Sequence, residues 1–407
     1  MKKRISGLLT AEKKALDWLE VHRVLVLAIV FSLLALALRA ALMQFRSEDM
    51  NLYYIEWLRH LHENGHFAAI PSLKSDYTVA FQYLLAAVSY LPFDDVVRVK
   101  MLSLPFDFGN AWLVMLMVRK IGNYKKQDLL PWLAYAAVLF LPTVWVNSAI
   151  WGQMDSIYTF FSLLAIWFFM EGKDRNAFIS FGFALSFKLQ AIFLLPLFGF
   201  LYIKTRRFSL LNFLWIPLVY SLLFLPAYAL GKPLTQFFGA FNEQVYQFKS
   251  MTLLFPNLWQ LFPNDYELLH RPAILLTIVA LMILYTYLWQ ARDFRVRPAT
   301  LLPLAMFSVM IATYLLPAMH ERYMYTAEIL AVAYLFCCPR RWYLVLAIWL
   351  LGFSGYSIHL WQFGPVIPFN ILSLVYAVVL ALGLKDLSQM TTTNPSLNPV
   401  SRGASKG

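Results

Sequence analysis

The sequence predicts an all-α, polytopic membrane protein, and three observations carry that prediction. Hydrophobic residues make up 60% of the 407 residues, and the mean hydropathy is +0.60. Charged residues make up 14% of the chain, against about 25% in soluble globular domains. Apolar runs of about 20 residues, the length that crosses a bilayer as a helix, recur along the chain.

The formal net charge of +12 would also suit a protein that binds nucleic acid. The lysines and arginines, however, cluster between the apolar runs, which is typical of the cytoplasmic loops of membrane proteins. We therefore expect a lipid bilayer and no nucleic acid as partner. The two cysteines, Cys337 and Cys338, are adjacent and offer neither a disulfide framework nor the spacing of a metal site.

The first apolar run, 24–42, is too long for a signal-peptide core and is predicted to remain as a span that starts in the cytoplasm. Apolar residues then recur every three residues, which predicts an amphipathic helix over 50–64 that Asn64 and Gly65 would end. Asp49 stands at the start of this helix. It either caps the helix or is a reactive carboxylate at the membrane surface.

Whether the short apolar segment 79–92 crosses the membrane decides on which side of the membrane each later loop lies. If it lies in the outer interface and does not cross, the basic loop 119–126 and every later basic loop fall in the cytoplasm, so we prefer this placement. The first outer loop then covers 45–96, and a long outer loop covers 231–271.

About twelve spans result from this count, with both termini in the cytoplasm. They are 24–42, 97–118, 129–146, 153–170, 177–187, 189–203, 210–230, 272–289, 301–316, 323–336, 342–358 and 366–384. One transmembrane domain therefore covers 1–384, and the polar segment 385–407 is predicted to be a disordered cytoplasmic tail.

Polar residues that are unusual in a membrane protein gather on the predicted outer side. Because ionisable residues at a membrane are functional-site candidates by default, we expect helix packing to bring them around one cavity. The five motifs are Glu48-Asp49, Trp151-Gly-Gln153-Met-Asp155, Ser186-Phe-Lys188-Leu-Gln190, Phe255-Pro-Asn257-Leu-Trp259 and Met319-His320-Glu321-Arg322-Tyr323.

Each motif also has a purely structural interpretation. Asp155 could cap the helix that follows it, Lys188 could extend to the membrane interface, and residues 320–322 could form an ordinary solvated loop. Four tryptophans either belong to the aromatic belts of the membrane or stack on sugars; they are Trp57, Trp151, Trp259 and Trp361.

Some charged residues lie inside predicted spans. Asp107 needs a partner, and Lys100, about two turns away, is the candidate that the local sequence offers. Arg39, near the outer end of the first span, is expected to extend its guanidinium to the interface.

Taken together, the motifs resemble those of the GT-C membrane glycosyltransferases. Ser47-x-Asp49, upstream of Trp57, resembles the first-loop motif of that superfamily. The other four motifs resemble, in order, those of bacterial proteins similar to glycosylphosphatidylinositol mannosyltransferases and dolichyl-phosphate-glucose glucosyltransferases. Glu48 and Met50 stand where the family has glycine and an aromatic residue. Glu48 and Asp49 are therefore alternatives for the functional acid, of which Asp49 keeps the family spacing.

The resemblance implies a GT-C-like fold in a bacterial plasma membrane with an extracytoplasmic active site. It implies transfer of a hexose, of mannose or glucose type, from a polyprenyl-phosphate sugar donor to a glycan or glycolipid acceptor. A flippase or transporter, or a polymerase or ligase of lipid-linked glycans, is the alternative.

Chemistry then assigns hypothetical roles to the residues. Asp49 is the general base of an inverting transfer with an oxocarbenium-like transition state, and Asp155 is catalytic through a sugar hydroxyl or by orienting the cations. The donor phosphate would be bound by Arg322, Lys188 and His320. Substrate binding is assigned to Glu48, Trp57, Trp151, Gln153, Gln190, Asn257, Trp259, Glu321 and Tyr323. No cofactor is expected, and a divalent metal between Asp49 and Asp155 is not demanded by the spacing.

Overall fold

The computed structural model describes residues 10–390 of the chain, and this part is mostly helical with almost no strand, as predicted. The short strands β1 (Thr252–Leu253) and β2 (Met319–His320) pair in parallel, with Thr252 opposite Met319. This small ladder joins the segment after α12 to the segment before α15.

The helices have the following bounds. The α-helices are α1 (Thr10–Leu42), α2 (Ile55–Glu63), α3 (Val79–Val88), α4 (Asp95–Met101), α5 (Leu104–Ile121), α6 (Leu129–Phe140), α7 (Pro142–Trp145), α8 (Asp155–Met170), α9 (Asp174–Phe187), α10 (Leu195–Thr205), α11 (Trp215–Ala229), α12 (Gly239–Tyr246), α13 (Tyr266–Gln290), α14 (Pro298–Leu315), α15 (Tyr325–Cys337), α16 (Trp342–Phe353), α17 (Tyr356–Trp361) and α18 (Phe369–Gln389). Short π-helical turns cover Met50–Tyr54 and Val146–Trp151, and 3₁₀ turns cover His66–Ala69, Leu189–Leu194, Leu210–Leu214, Leu234–Gln236, Leu258–Leu261 and Pro339–Arg341.

Seven helical segments within residues 10–390 are long and apolar enough to cross a membrane, so the protein is polytopic. They are Glu12–Leu42, Asp95–Ile121, Leu210–Ala229, Tyr266–Gln290, Pro298–Leu315, Pro339–Trp361 and Phe369–Gln389. Leu129–Phe140 and Pro142–Trp151 add an eighth if this pair, bent by 47°, is one broken span. Pro142 explains the break, because the residue before a proline avoids helical dihedrals.

The predicted count of about twelve spans is not confirmed. Every predicted span overlaps a helix, but the remaining ones correspond to the shorter helices α8, α9, α10 and α15. At about 1.5 Å per residue, the 16 residues of α8 form a helix about 24 Å long. This length is less than the thickness of the hydrocarbon core of a bilayer, which is about 30 Å. Both α8 and α15 are largely buried among other helices, where protein and not lipid surrounds their ends.

The outer ring of helices exposes apolar side chains. Leu33 of α1 is 63% exposed, Leu275 of α13 is 62% exposed and Val378 of α18 is 57% exposed. The centre of the bundle instead buries polar and charged groups. Apolar surface outside and ionisable groups inside is the arrangement of a helical membrane protein.

A buried ion pair overturns two predictions about the spans. The Nε of Arg39 donates to Asp107 at 2.9 Å, and both side chains are fully buried. Arg39 therefore does not extend to the interface, and Lys100 is not the partner of Asp107. The ammonium of Lys100 donates instead to the main-chain oxygens of Met43 and Ala149, at 3.1 and 2.8 Å. The pairing joins residues 68 positions apart, which local helix spacing does not reveal.

The predicted amphipathic helix is present. The π-helical turn Met50–Tyr54 runs into α2, and the main-chain N–H of Asn64 donates to the carbonyl of His60. Gly65 follows with φ of +93°, a left-handed conformation that favours glycine and ends the helix. The apolar segment 79–92 forms α3, whose ten residues are too few to span.

The predicted tail begins later than expected, because α18 continues through Lys385 to Gln389. Residues 391–407, which make up the rest of that tail, lie outside the described residues. The same is true of the basic residues before Thr10.

Candidate active site

A cavity of about 360 Å³ lies at the end of the bundle where α1 ends and α8 and α15 begin; we call this the cavity end. Its walls come from the π-helical turn and α2, the loop before α3, the α9–α10 turn, and the segments around β1 and β2. The structure brings these predicted site residues to its lining: Glu48, Asp49, Trp57, Gln153, Lys188, Gln190, His320, Glu321, Arg322 and Tyr323.

Asp49 is held in a fixed orientation at this cavity. Its Oδ2 accepts hydrogen bonds from the indole Nε1 of Trp151 at 2.9 Å and from the amide Nε2 of Gln153 at 2.7 Å. The Asp49 side chain is 20% exposed, so substrate can reach it. The neighbouring Glu48 is exposed, and its carboxylate accepts no hydrogen bond among residues 10–390.

Asp49 does not cap the helix that follows it. The main-chain N–H of Met50 is accepted by the hydroxyl of Ser47 at 3.2 Å, and this hydroxyl donates in turn to the carbonyl of Trp151 at 2.7 Å. Ser47 therefore supplies the cap and ties the first loop to the α7–α8 turn. The capping interpretation of Asp49 is wrong, and its carboxylate is available for other contacts.

The turn between α7 and α8 delivers both donors to Asp49. The π-helical turn ends at Trp151, and Gly152 has φ of +84°, which reverses the chain so that Gln153 points back beside Trp151. A Cβ at position 152 would displace the terminal methyl group of Met50, and the positive φ is the feature that favours glycine there. The Trp151-Gly-Gln153 turn thus directs two N–H groups at the carboxylate of Asp49.

Asp155 lies beneath the cavity and not on its lining. Its side chain is fully buried, with Oδ1 accepting from the ammonium of Lys188 at 2.5 Å and Oδ2 accepting from the amide of Asn147 at 2.8 Å. Arg322 Nε lies 3.8 Å from Oδ2. Asp155 therefore lies beside the two cations, and this geometry favours the predicted role of orienting them over the predicted alternative of holding a sugar hydroxyl. The capping alternative is wrong.

Lys188 is not an interfacial lysine. It is 5% exposed and stays near Asp155, with its ammonium 5.9 Å from the ring centres of Tyr77 and Tyr158. A buried ammonium that is ion-paired and flanked by aromatic faces is costly to move, which fixes its position in the cavity wall.

The turn before α15 is likewise buried, so it is no ordinary solvated loop. Arg322 Nη1 donates to Glu321 at 2.7 Å, and the guanidinium lies 5.0 Å from the ring centre of Trp151. His320 Nδ1 is 3.5 Å from the other oxygen of Glu321. Two buried nitrogens, Nε of Arg322 and Nε2 of His320, make no hydrogen bond within the described residues.

The protonation states of this turn follow from its packing. Burial alone would raise the pKa of Glu321, but the hydrogen bond with His320 and the charge of Arg322 lower it to about 2. Burial lowers the pKa of His320, so its imidazole is neutral at pH 7. The turn therefore carries an ionised carboxylate, a guanidinium and a neutral imidazole at neutral pH.

Three predicted binding residues do not line the cavity. Trp151 is fully buried beneath it, so its ring is no platform for a sugar. The amide of Asn257 donates to the carbonyls of Met251 and Leu316, and the indole of Trp259 donates to the carbonyl of Leu315 at 2.7 Å. Asn257 and Trp259 therefore attach the long loop to the end of α14. Among the predicted tryptophans, Trp57 keeps a place on the lining.

Sequence reasoning missed several residues at the site. His359 packs against Trp151 with ring centres 4.4 Å apart and a tilt of 30° between the rings, and its Nε2 lies 3.8 Å from Asp49. The hydroxyls of Tyr54 and Tyr77 reach Gln153 Oε1 at 3.2 and 3.3 Å, and Asp76 also lines the cavity. A histidine at the predicted outer end of a span is a signal that would have found His359.

No group of three or more His, Cys, Asp or Glu side chains in residues 10–390 is arranged to hold a metal ion. The joint site considered for Asp49 and Asp155 meets an obstacle, because both oxygens of Asp155 are occupied by Lys188 and Asn147. No protein-family model matches the chain, and a search of curated proteins finds no significantly similar sequence. The functional inference therefore depends on the geometry of the site.

Proposed function

We propose that the protein is a membrane glycosyltransferase that moves a hexose of mannose or glucose type from a polyprenyl-phosphate donor to a glycan or glycolipid acceptor. The observation that carries the proposal is the arrangement of an oriented, accessible carboxylate, Asp49, with a buried ammonium, Lys188, and a partly buried guanidinium, Arg322, around one cavity. A base for a hydroxyl and fixed cations for a leaving phosphate are what this reaction requires.

In the reaction, a hydroxyl of the acceptor attacks the anomeric carbon of the donor sugar from the face opposite the phosphate. The new O–C bond forms as the C–O bond to the phosphate breaks, and the phosphate leaves with the bonding electrons. Asp49 takes the proton of the attacking hydroxyl. One displacement of this kind inverts the anomeric centre, and the transition state has oxocarbenium character.

The leaving phosphate gathers negative charge, which the cations stabilise. Arg322 has an unused Nε–H beside Asp155, and Lys188 lies in the wall of the same cavity. Asp155 and Glu321 hold these two cations in place, so little reorganisation is needed when charge develops. His320 lies next to them on the cavity lining and assists in binding the phosphate.

The cavity faces the extracytoplasmic side in this proposal. At the opposite end of the bundle, Lys120 pairs with Glu171 and Arg207 pairs with Asp174, and the basic loops of the sequence gather there. By the positive-inside rule, that end lies on the cytoplasmic side of the cell membrane. A donor linked to a lipid reaches the outer side, where nucleotide sugars are absent. A flippase or transporter would instead place its polar site near the bilayer midplane.

The test is transfer by the purified protein in detergent, with a panel of polyprenyl-phosphate hexoses and crude membrane glycolipid as acceptor. We expect transfer by the wild type and a loss of about a hundredfold or more in Asp49→Asn, the scale of general-base catalysis. Glu48→Gln, which removes the same charge one residue away, should lose far less. Thermal melting checks that each variant is folded.

Other outcomes discriminate the alternatives. Transfer that persists in Asp49→Asn but fails in Glu48→Gln would make Glu48 the base. Lipid movement across liposomes without transfer would favour the flippase, and transfer of preassembled glycans would favour a ligase or polymerase. A chelator decides on the metal: we expect activity to remain, because Asp155 already gives its oxygens to Lys188 and Asn147.

A further inference from the structure

A second cavity, of about 630 Å³, lies beside the first. Its lining comes from the loop between residues 71 and 79, from α3 and α11, and from the segment that contains α12. It shares Tyr53, Asp76, Tyr77 and Gln247 with the first cavity, so these four side chains form the boundary between the two spaces. A ligand in one cavity would therefore meet a ligand in the other at this boundary.

The lining of the second cavity combines aromatic rings with neutral polar groups. Tyr220 and Phe237 supply rings, and Ser72 and Gln236 supply a hydroxyl and an amide. A volume within the roughly 300–1,000 Å³ of small-molecule sites, with a few polar groups among aromatic ones, suits a sugar. The lining also carries four charged side chains, Lys74, Asp76, Lys232 and Glu243.

Among the charged groups of the second cavity, Lys232 and Asp76 differ in whether their side chains are still free to bind a ligand. The ammonium of Lys232 is buried and donates to the carbonyl of Ile70 at 3.0 Å and to Gln82 Oε1 at 3.3 Å, so it holds the loop. Asp76 is different, because its Oδ1 is buried and accepts no hydrogen bond in the described part of the chain. The main chain at Asp76 is fixed by a hydrogen bond from Gln244 to its carbonyl at 3.0 Å.

An unsatisfied buried carboxylate oxygen costs free energy, and a ligand hydroxyl would remove that cost. Burial also raises the pKa of Asp76. The carboxylate therefore lies at the boundary with an open acceptor position and rigid main-chain support. Asp49, by contrast, already accepts two hydrogen bonds on one oxygen and belongs to the first cavity alone.

We propose that the second cavity is the binding site for the acceptor sugar, and that Asp76 accepts a hydrogen bond from one of its hydroxyls at the boundary with the donor cavity. This inference rests on the proposed function. The donor hexose and its phosphate occupy the first cavity, next to Asp49, Lys188 and Arg322. The attacking hydroxyl of the acceptor crosses the boundary beside Tyr53 and Tyr77. Asp76 binds the acceptor, while Asp49 takes the proton.

Two variants test the assignment by different routes. Asp76→Asn keeps the shape and weakens the acceptor hydrogen bond, and Ala240→Trp fills the second cavity from α12, where Ala240 is half-buried and lines it. A hydrogen bond to a charged group contributes about 1.5–3 kcal/mol, so the acceptor KM of Asp76→Asn should rise about tenfold or more. In Ala240→Trp, whose position lines the second cavity and not the first, the donor KM and the slow transfer of the donor sugar to water should stay within about twofold.

Glu56→Gln is the matched control, because it removes one carboxylate from α2, where Glu56 is exposed and pairs only with the nearby Arg59 among described residues. The assays use octyl mannoside, octyl glucoside and crude membrane glycolipid as acceptors, in a detergent without a sugar headgroup. A change in the donor KM with an unchanged acceptor KM, in both variants, would overturn the inference and leave the proposed function intact.

If the wild type transfers nothing, the proposed function fails and binding decides the second cavity separately. Saturable binding of an octyl glycoside that Ala240→Trp abolishes and Glu56→Gln retains would still assign the cavity to a sugar. Absence of binding to the wild type, or equal binding to wild type and Ala240→Trp, would overturn the assignment.

Discussion

Asp49 and Trp151 are 102 positions apart in sequence, and the indole Nε1 of Trp151 donates to the Asp49 carboxylate at 2.9 Å. Because Trp151 is fully buried, it acts on the cavity through Asp49 and not through its own surface. The guanidinium of Arg322 and the ring of His359 also pack against this indole. Trp151 therefore sets the position of Asp49, the proposed base, relative to Arg322, which is proposed to bind the phosphate.

Trp151→Phe should lower kcat by about ten- to a hundredfold, because a carboxylate displaced by about 1 Å loses that much alignment with the reacting hydroxyl. The measurement is steady-state transfer with both substrates varied. Trp132→Phe is the control, since it removes an indole hydrogen bond, to Lys126, at the opposite end of the bundle. An equal loss of kcat in both variants would show a general effect on the fold.

The Asp155–Lys188 pair predicts a stability effect that is separable from activity. Lys188→Met removes the closer of the two cations beside a fully buried carboxylate, leaving Arg322 Nε at 3.8 Å, and should destabilise the protein by about 3–5 kcal/mol. The double variant Asp155→Asn with Lys188→Met removes the stranded charge and should recover most of this stability, measured by denaturant or thermal unfolding.

Activity should not recover in the double variant, because the cation that the leaving phosphate needs is still missing. Recovery of both stability and transfer would mean that Lys188 serves the fold alone. This separation is the reason for comparing the single and the double variant under the same conditions.

Arg322→Lys tests the guanidinium specifically, since it keeps the charge but not the planar fork or the stacking on Trp151. We expect the affinity for the product, polyprenyl phosphate, to fall about tenfold or more, measured as its inhibition constant against transfer. Arg59→Lys, on the exposed face of α2, is the control. An unchanged inhibition constant would remove Arg322 from the phosphate site.

Glu321 predicts how stability depends on pH. Its pKa is about 2 in the folded protein, below the ordinary value of 4.5, so folding favours the ionised form. Its contribution to stability is complete above about pH 4.5 and is lost as the pH falls through that value toward the folded pKa. The difference in melting temperature between wild type and Glu321→Gln should therefore be largest near pH 6 and shrink toward pH 3. Glu56→Gln should follow the wild type throughout, because its ion pair is exposed.

The sequence was sufficient to place the helices and the ends at which polar motifs lie. Apolar runs and breaks such as Pro142 or Gly65 are local signals, and local signals determine where helices begin and end. Charge in the loops then placed Asp49 and Lys188 on one predicted side, and both reach one cavity. The number of spans was harder to predict from the sequence, because a short apolar helix in lipid and a short apolar helix inside the bundle have the same composition.

Pairings across the fold could not be predicted from spacing. Arg39 pairs with Asp107 and not Lys100, because packing brings together residues that no local pattern connects. Asp76 and His359 have no motif around them and reach the site through loop and helix placement. The position of Trp259 off the cavity lining could not be predicted for the converse reason, since an indole near the membrane surface has the same sequence signature whether it binds a sugar or a main-chain carbonyl.

Trp259 therefore carries the last prediction, which separates these two roles. Its indole donates to the Leu315 carbonyl at the end of α14, and Trp259→Phe leaves that carbonyl without its donor. We expect a loss of about 1–3 kcal/mol in unfolding free energy, with KM and kcat of the folded protein unchanged within about twofold. Trp57→Phe, at the cavity lining, should behave in the opposite way, with a raised KM for a sugar substrate and a smaller loss of stability. If Trp259→Phe raised KM without lowering stability, the long loop would belong to the binding site after all, and the cavity would have to extend to Trp259 when substrate is bound.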